Sequence, residues 1–213
     1  MREINFRQAI GEALDEEMAR DPAVFIIGED VGPMGGLMGE IGGLYQKYGI
    51  DRVRDTPLSE AAILGAAIGS AITGMRPIAR MRFADFLGVA WDEIMNQMTK
   101  MKYMFGGKIK MPLTMDALTG AGRRSAAQHS QSIEGMMMSI PGLKIVLPSN
   151  AYDAKGLLKT AIRDDNPVMF FEHKFLMWAG PKSEVPEEEY LIPFGQAEIK
   201  REGSDVTVVA TAA

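Results

Sequence analysis

The stretch that decides the fold is PGLKIVLPSNAYDAKGLLKTAIRDDNPVMFF, residues 141–171. Two short apolar runs, Leu143–Leu147 and Val168–Phe171, flank a segment with helical spacing of its apolar residues, Asn150–Arg163. This order is typical of a βαβ unit, because parallel strands need a long crossover connection. The sequence therefore predicts a strand, a helix and a parallel strand here.

The rest of the chain repeats this alternation. The pattern predicts one helix that Asn5 caps and that stops at Asp21-Pro22, and another that Thr56 caps and that runs to Gly74. Further helices are expected over residues 87–105 and 132–138, and further strands over residues 24–27, 77–79 and 112–115. We therefore expect an α/β fold, a doubly wound and mostly parallel sheet with helices on both faces.

A charged stretch with prolines, Pro181–Pro193, interrupts this rhythm. An apolar run, Asp205–Ala210, follows it and has the composition of a buried strand. We expect residues 1–180 to form the main domain, residues 181–204 a linker, and residues 205–213 the first strand of a truncated second α/β domain.

Composition and charge exclude several classes of protein. With 23 Lys and Arg against 28 Asp and Glu, the net charge of −5 argues against nucleic-acid binding. No apolar run is long enough for a membrane helix, and the N-terminus lacks the layout of a secretion signal, so we expect a cytoplasmic protein. The absence of cysteine excludes disulfides, thiolate metal sites and a cysteine nucleophile, and leaves only His129 and His173 as imidazoles.

Candidate site residues follow strands, because ligands of open parallel sheets sit outside the carboxyl ends of the strands. Glu29 follows the first strand, Phe83 and Phe86 follow the strand that begins at Pro77, and Glu60 lies in the first turn of a helix. Each also has a structural interpretation. Glu29 fits a solvated turn, and Phe83 and Phe86 fit the core. Glu60 fits a carboxylate at the positive end of a helix dipole. Taken alone, none of these residues decides between the two interpretations.

The polar segment Gln128-His129-Ser130-Gln131 contains one of the two histidines, and both a functional and a structural role stay open for it. His173, at the end of an expected strand, carries less weight. A stripe of methionines fits either a core or a helix face that packs on a partner subunit: Met95, Met98, Met101 and Met104. The chain contains neither a GxGxxG nor a GxxxxGK[ST] motif, and no GDG motif with a downstream Asn pair.

Six ordered motifs carry a family resemblance: GEDVG from Gly28, DTPLSE from Asp55, GMRPIARMRFADF from Gly74, AAQHSQS from Ala126, PGLKIVLPSNAYDAKGLL from Pro141 and AIRDDNPV from Ala161. Over residues 3–178 the chain resembles the beta subunit of the thiamine-diphosphate-dependent decarboxylase component of 2-oxo-acid dehydrogenase complexes, the pyruvate and acetoin dehydrogenase group. It departs from that family in a short loop rich in glycine and methionine after Val31, and in lacking a full C-terminal domain.

The resemblance implies a transketolase-like pyrimidine-binding domain and half of an active site. The alpha subunit of the family carries the GDG motif that holds magnesium and the diphosphate, so this chain is expected to act in a heterotetramer with an alpha subunit and a second beta subunit. The implied reaction is oxidative decarboxylation of a 2-oxo acid, with acyl transfer to a lipoyl-bearing acyltransferase component. Acetoin cleavage is the nearest alternative. A non-catalytic domain that only binds a partner is another, if truncation prevents assembly.

The resemblance also implies roles for individual residues. Glu60 would hydrogen-bond a pyrimidine ring nitrogen while shielded from water. Phe86 would stack on the ring, with Phe83 as the alternative, and Glu29 would lie near the pyrimidine. His129 would line the active-site channel and assist acyl transfer. A structural potassium ion is expected to bind mainly carbonyl oxygens of five residues: Leu113, Ala161, Ile162, Asp164 and Asn166.

Overall fold

The computed structural model describes all residues from Met1 to Ala213. The strands are β1 (Arg2–Ile4), β2 (Val24–Gly28), β3 (Val53–Asp55), β4 (Arg76–Phe83), β5 (Thr114–Thr119), β6 (Lys144–Val146), β7 (Val168–His173) and β8 (Ser183–Val185). The α-helices are α1 (Phe6–Arg20), α2 (Leu44–Tyr48), α3 (Glu60–Ile72), α4 (Met101–Met104), α5 (Glu134–Met137), α6 (Ala151–Arg163) and α7 (Lys174–Ala179). Two 3₁₀ segments, Ala84–Ala90 and Ala127–His129, and one π-helical segment, Glu93–Met98, complete the structure.

The central sheet confirms the predicted fold class. Six strands lie in the order β3-β2-β4-β5-β7-β6, and every neighbouring pair is parallel. One apolar core lies between the sheet and helices α1 and α6, and a second lies between the sheet, α3 and the segments after β4. Because both faces are covered, strands such as β2 are buried along their whole length.

Glycine at the end of β2 lets two strands approach closely. A Cβ at Gly28 would lie 2.4 Å from the main-chain oxygen of Arg80 on β4. Any larger residue would push apart the carboxyl ends of β2 and β4, where ligands of such sheets bind.

The predicted start and end of α1 are confirmed. The Asn5 side chain accepts a hydrogen bond from the Gln8 N–H at 2.8 Å, and the Gln8 side chain accepts one from the Asn5 N–H at 3.0 Å. This capping box satisfies donors that the first turn of a helix leaves free. Asn150 caps α6 in a similar way, through the N–H of Asp153 at 2.9 Å.

Two predicted helices have different bounds. The helix expected from Thr56 begins at Glu60, because the Thr56 N–H donates to the Gly28 oxygen at 2.9 Å and continues the pairing of β2 with β3. The single helix expected over residues 87–105 is wrong, since the chain there forms three short segments. The Thr99 hydroxyl donates to main-chain oxygens of the preceding turn at 3.0 and 2.8 Å, which competes with regular helical bonding.

The methionine stripe is divided between the two interpretations left open for it. Met98 is fully buried in the core, whereas Met95 and Met104 are exposed.

The strand expected over residues 112–115 lies at 114–119. None of the helices combines the length and the hydropathy that a membrane span requires.

Part of the expected linker packs on the main domain. Strand β8 pairs antiparallel with β1, and Val185 is fully buried. The Thr160 hydroxyl donates to the Ile192 oxygen at 2.8 Å. Residues 205–213 form no strand and pair with no part of this chain, so the second domain stays a prediction.

Candidate active site

A cavity of about 340 Å³ lies at the carboxyl ends of β2 and β4. It brings together the four expected catalytic and cofactor-binding residues, Glu29, Glu60, Phe86 and His129, which are far apart in sequence. The remaining lining residues are Leu58, Ile63, Arg80, Met81, Arg82 and Phe83. The wall therefore combines apolar side chains with two carboxyl groups, two guanidinium groups and one imidazole.

Glu60 is the first residue of α3, and its side chain makes no hydrogen bond within the chain. The Ser59 side chain gives no capping hydrogen bond, so the first N–H groups of α3 stay open beside this carboxyl. Glu60 is half-buried, so the shielding from water that we expected is incomplete within this chain.

Glu29 directly follows β2 and is also half-buried. Burial raises the pKa of Glu29, and the negative charge of Glu60 raises it further, while Arg82 acts in the opposite direction. A carboxyl group with a raised pKa holds a proton more readily near neutral pH. Glu29 can therefore exchange a proton with a group bound in the cavity.

Two phenylalanine rings contact His129. The rings of Phe83 and Phe86 meet the imidazole edge-on, with centroid distances of 4.5 and 5.3 Å and interplanar angles of 79° and 73°. Both phenylalanines line the cavity, so the choice between them as the stacking residue stays a prediction. His173, in contrast, does not line the cavity and packs against Gly120.

A buried ionic network lies beside the cavity and was not predicted from the sequence. Arg80 contacts Glu40 at 2.8 Å, Asp116 at 2.9 Å and Glu172 at 3.3 Å, and Arg82 contacts Glu40 at 2.8 Å. Burial raises the pKa of Glu172 to about 8, although the nearby Arg80 opposes this. The alternating arginines in the apolar strand IARMRF were the available signal, because charges inside a buried strand need partners.

The five residues expected to bind potassium lie together at the opposite, amino-terminal edge of the sheet. They flank the end of α6 and the starts of β5 and β7. The Arg76 guanidinium donates to the main-chain oxygens of Ile162 at 3.1 Å and Asp164 at 3.2 Å. A carbonyl oxygen has a second lone pair, so these contacts are compatible with a hard cation.

Side chains of the same group are already paired. The Asp164 carboxylate binds Lys144, and the Asn166 side-chain oxygen accepts from Lys102 at 2.6 Å. Leu113 and Ala161 offer only main-chain oxygens, so any cation here would rest on carbonyl groups. The potassium site stays a prediction. Separately, the chain contains no cluster of three or more His, Cys, Asp or Glu side chains suited to a metal ion.

Residues 2–177 match the model of the transketolase pyrimidine-binding domain. The chain belongs to this family. The match includes the two carboxylates, the aromatic pair and His129 of the cavity, and it ends within α7. The match covers most of the chain and agrees with the parallel sheet described above.

Curated relatives of this pyrimidine-domain chain are beta subunits of an oxidoreductase and of dehydrogenases. It is 52% identical to the beta subunit of acetoin:2,6-dichlorophenolindophenol oxidoreductase of Cupriavidus necator, over 98% of this chain and 64% of the relative. It is 48% identical to the 2-oxoisovalerate dehydrogenase beta subunit of Bacillus subtilis and 47% identical to the pyruvate dehydrogenase E1 beta subunit of Gracilaria tenuistipitata, with the same coverage. The chain therefore spans about 64% of the length of these relatives.

A solved structure supports the fold. A split-gene transketolase, described as an inactive beta4 tetramer, matches with a TM-score of 0.63 and 24% identity, over 80% of this chain and 51% of the other. At this identity the likeness concerns the arrangement of the pyrimidine domain alone.

Proposed function

We propose that this chain supplies the pyrimidine-binding half of a thiamine-diphosphate-dependent dehydrogenase that acts on a 2-oxo acid. The observation that carries the proposal is the position of Glu60, at the start of α3 and in one cavity with Glu29, Phe86 and His129. A heteroaromatic ring with nitrogen acceptors and an amino group suits apolar walls that contain two carboxyl groups.

The cavity walls fit the aminopyrimidine of this cofactor. Phe86 offers a flat face for stacking, and Ile63 and Met81 provide apolar contacts on the α3 side of the sheet. When bound, thiamine diphosphate supplies a carbanion nucleophile for the substrate carbonyl and an electron sink for decarboxylation. Glu60 would share a proton with the ring nitrogen, and its charge raises the pKa of Glu29 in the same cavity.

His129 is suited to handle a proton near the reacting carbon. Its ring contacts two aromatic side chains and makes no hydrogen bond within the chain, so its nitrogens are free for a substrate or an acyl acceptor. Imidazole can both donate and accept a proton, which suits it to general acid and base steps.

The chemistry of the cavity supports half a site rather than a complete one. Its only basic side chains, Arg80 and Arg82, are bound to buried carboxylates, and no metal cluster exists in the chain. The diphosphate and its magnesium would therefore be held by an alpha subunit. Exposed apolar residues suit subunit contacts, with the alpha subunit or a second beta subunit: Val89, Met95, Tyr103, Met104 and Phe105.

Acetoin is the alternative substrate, favoured by the 52% identity to an acetoin oxidoreductase subunit. Both substrates present a carbonyl carbon to the same nucleophile, so the cavity does not distinguish between them. A lipoyl-bearing acyltransferase as acyl acceptor, and a cytoplasmic location, are part of the same proposal.

The proposal can be tested by coexpression with an alpha subunit that contains the GDG motif. The complex should reduce 2,6-dichlorophenolindophenol with pyruvate or with acetoin, and the better substrate identifies the enzyme. Glu60→Ala should abolish activity while the complex still assembles, whereas Glu184→Ala, an exposed residue of β8, should retain it. Full activity in Glu60→Ala contradicts the mechanism. A complex that assembles without any activity contradicts the proposed reaction, and failure to assemble supports the non-catalytic alternative.

A further inference from the structure

His129 lies on a stretch between β5 and β6 that has little regular structure. Its side chain touches Phe83 and Phe86, but ring contacts of this kind are weak and leave the main chain free to move. Some other contact must hold this stretch if the imidazole is to keep a fixed place in the cavity.

Asp85 provides such a contact. Its Oδ1 accepts a hydrogen bond from the Gln131 N–H at 3.1 Å, two residues beyond His129. The Gln131 oxygen in turn accepts from the Gly120 N–H at 2.9 Å, next to the end of β5. Because Asp85 lies between Phe83 and Phe86, one short segment carries both the rings that touch the imidazole and the carboxyl group that fixes its neighbour.

Lys174 supplies a positive charge behind this segment. The side chain is 1% exposed, and its Nζ lies 5.3 Å from the centroid of the Phe83 ring without a hydrogen-bond partner. The Oδ2 atom of Asp85 is also buried and unpartnered. Burial lowers the pKa of Lys174, and the negative charge of Asp85 opposes this fall. The negative charge of Asp85 and the positive charge of Lys174 attract each other.

We propose that Asp85 is a positioning residue for His129, with Lys174 as its buried counter-charge. An ionised carboxylate accepts a stronger hydrogen bond than a neutral group, so Asp85 holds the Gln131 N–H firmly and keeps the imidazole against the two rings. The catalytic meaning of this inference rests on the proposed function, whereas its structural part rests on contacts within this chain.

Hydrogen exchange of the full chain, followed by mass spectrometry, tests the structural part without any activity. In Asp85→Ala the amides of residues 127–133 should exchange about tenfold faster, because a charge-assisted hydrogen bond is lost. Lys174→Met should give a smaller change in the same peptides. Asp92→Ala is the matched control, since Asp92 is exposed and binds only Asn96 and Gln97.

Unchanged exchange over residues 127–133 in Asp85→Ala overturns the proposal, and unchanged exchange in Lys174→Met overturns the role of the counter-charge. If Asp85→Ala loosens the whole chain, Asp85→Asn decides, because it keeps the shape and one acceptor oxygen. Faster exchange confined to residues 127–133 in Asp85→Asn then supports the proposal, and unchanged exchange there overturns it.

Kinetics of the complex with its alpha subunit test the catalytic part. Asp85→Ala should lower kcat about tenfold or more while the affinity for thiamine diphosphate changes less than about twofold, because Glu60 and Phe86 are untouched. The double variant Asp85→Ala with His129→Ala should be no slower than His129→Ala alone, since Asp85 acts through His129. Independent, additive losses overturn the positioning role. An inactive wild-type complex would contradict the proposed function, while the exchange result would still decide the role of Asp85.

Discussion

Glu29 and Glu60 line the same cavity, and the charge of Glu60 contributes to raising the pKa of Glu29. One carboxyl follows a strand and the other begins a helix, so neither element alone places them together. This relationship links the fold directly to the proposed proton chemistry.

Removal of the Glu60 charge should lower the pKa of Glu29. In Glu60→Gln the repulsion disappears, whereas burial and Arg82 still act on Glu29. Carboxyl-carbon NMR titration of Glu29 measures the change, with Glu184→Gln as the control. An unaltered Glu29 titration would show that the two groups do not interact.

Phe86→Ala should weaken the binding of thiamine diphosphate to the complex by about 1–3 kcal/mol, because a buried aromatic contact is lost. Titration calorimetry in the presence of magnesium measures this loss. Phe83→Ala is the matched variant on the same cavity wall. A larger loss in Phe83→Ala would assign the stacking role to Phe83 instead.

Glu40→Ala should destabilise the chain by about 3–5 kcal/mol. The substitution removes the carboxylate that the buried guanidinium groups of Arg80 and Arg82 share, at 2.8 Å from each. The free energy of unfolding from urea titration measures the effect. Glu184→Ala should change it by less than about 0.5 kcal/mol. Equal stability in both variants would mean that water reaches the network.

Glu172 should make the chain less stable as the pH rises. Its pKa is about 8 in the folded chain against a usual 4.5, so the folded state binds the proton more tightly. The stabilisation is complete below about pH 4.5 and is lost as the pH rises towards about 8. In Glu172→Gln, the fall of unfolding free energy over this window should be shallower than in the wild type. Identical slopes would contradict the raised pKa.

The potassium site can be tested by ion exchange. Replacement of potassium by tetramethylammonium at constant ionic strength should lower the melting temperature by about 2–4 °C if the main-chain oxygens of the five expected residues bind potassium. Sodium and lithium controls separate size selectivity from a general salt effect. A melting temperature independent of the cation would remove potassium from the description.

Local signals were sufficient for the main elements of the fold. The cap at Asn5, the helix α6 and the apolar runs of β2 and β7 were predicted because each depends on neighbours along the chain. The short strands β1 and β8 were not predicted, because each exists only through pairing with the other end of the domain. The start of α3 was placed too early for a similar reason, since Thr56 bonds to Gly28 on another strand.

The candidate site divides in the same way. Family motifs identified Glu29, Glu60, Phe86 and His129, but the buried network around Arg80 and the contact of Asp85 with Gln131 were found only in three dimensions. An arginine in an apolar strand shows that partners are needed, and only the fold determines which carboxylates provide them.

The sequence by itself determined the alternation of strands and helices, and hence a parallel sheet, because periodicity and capping act between close neighbours along the chain. Only the tertiary structure decided that Glu29 and Glu60 share a cavity, how far water reaches Glu60, and what holds His129. Those properties depend on burial and on charges contributed by distant segments, which meet only when the sheet is assembled.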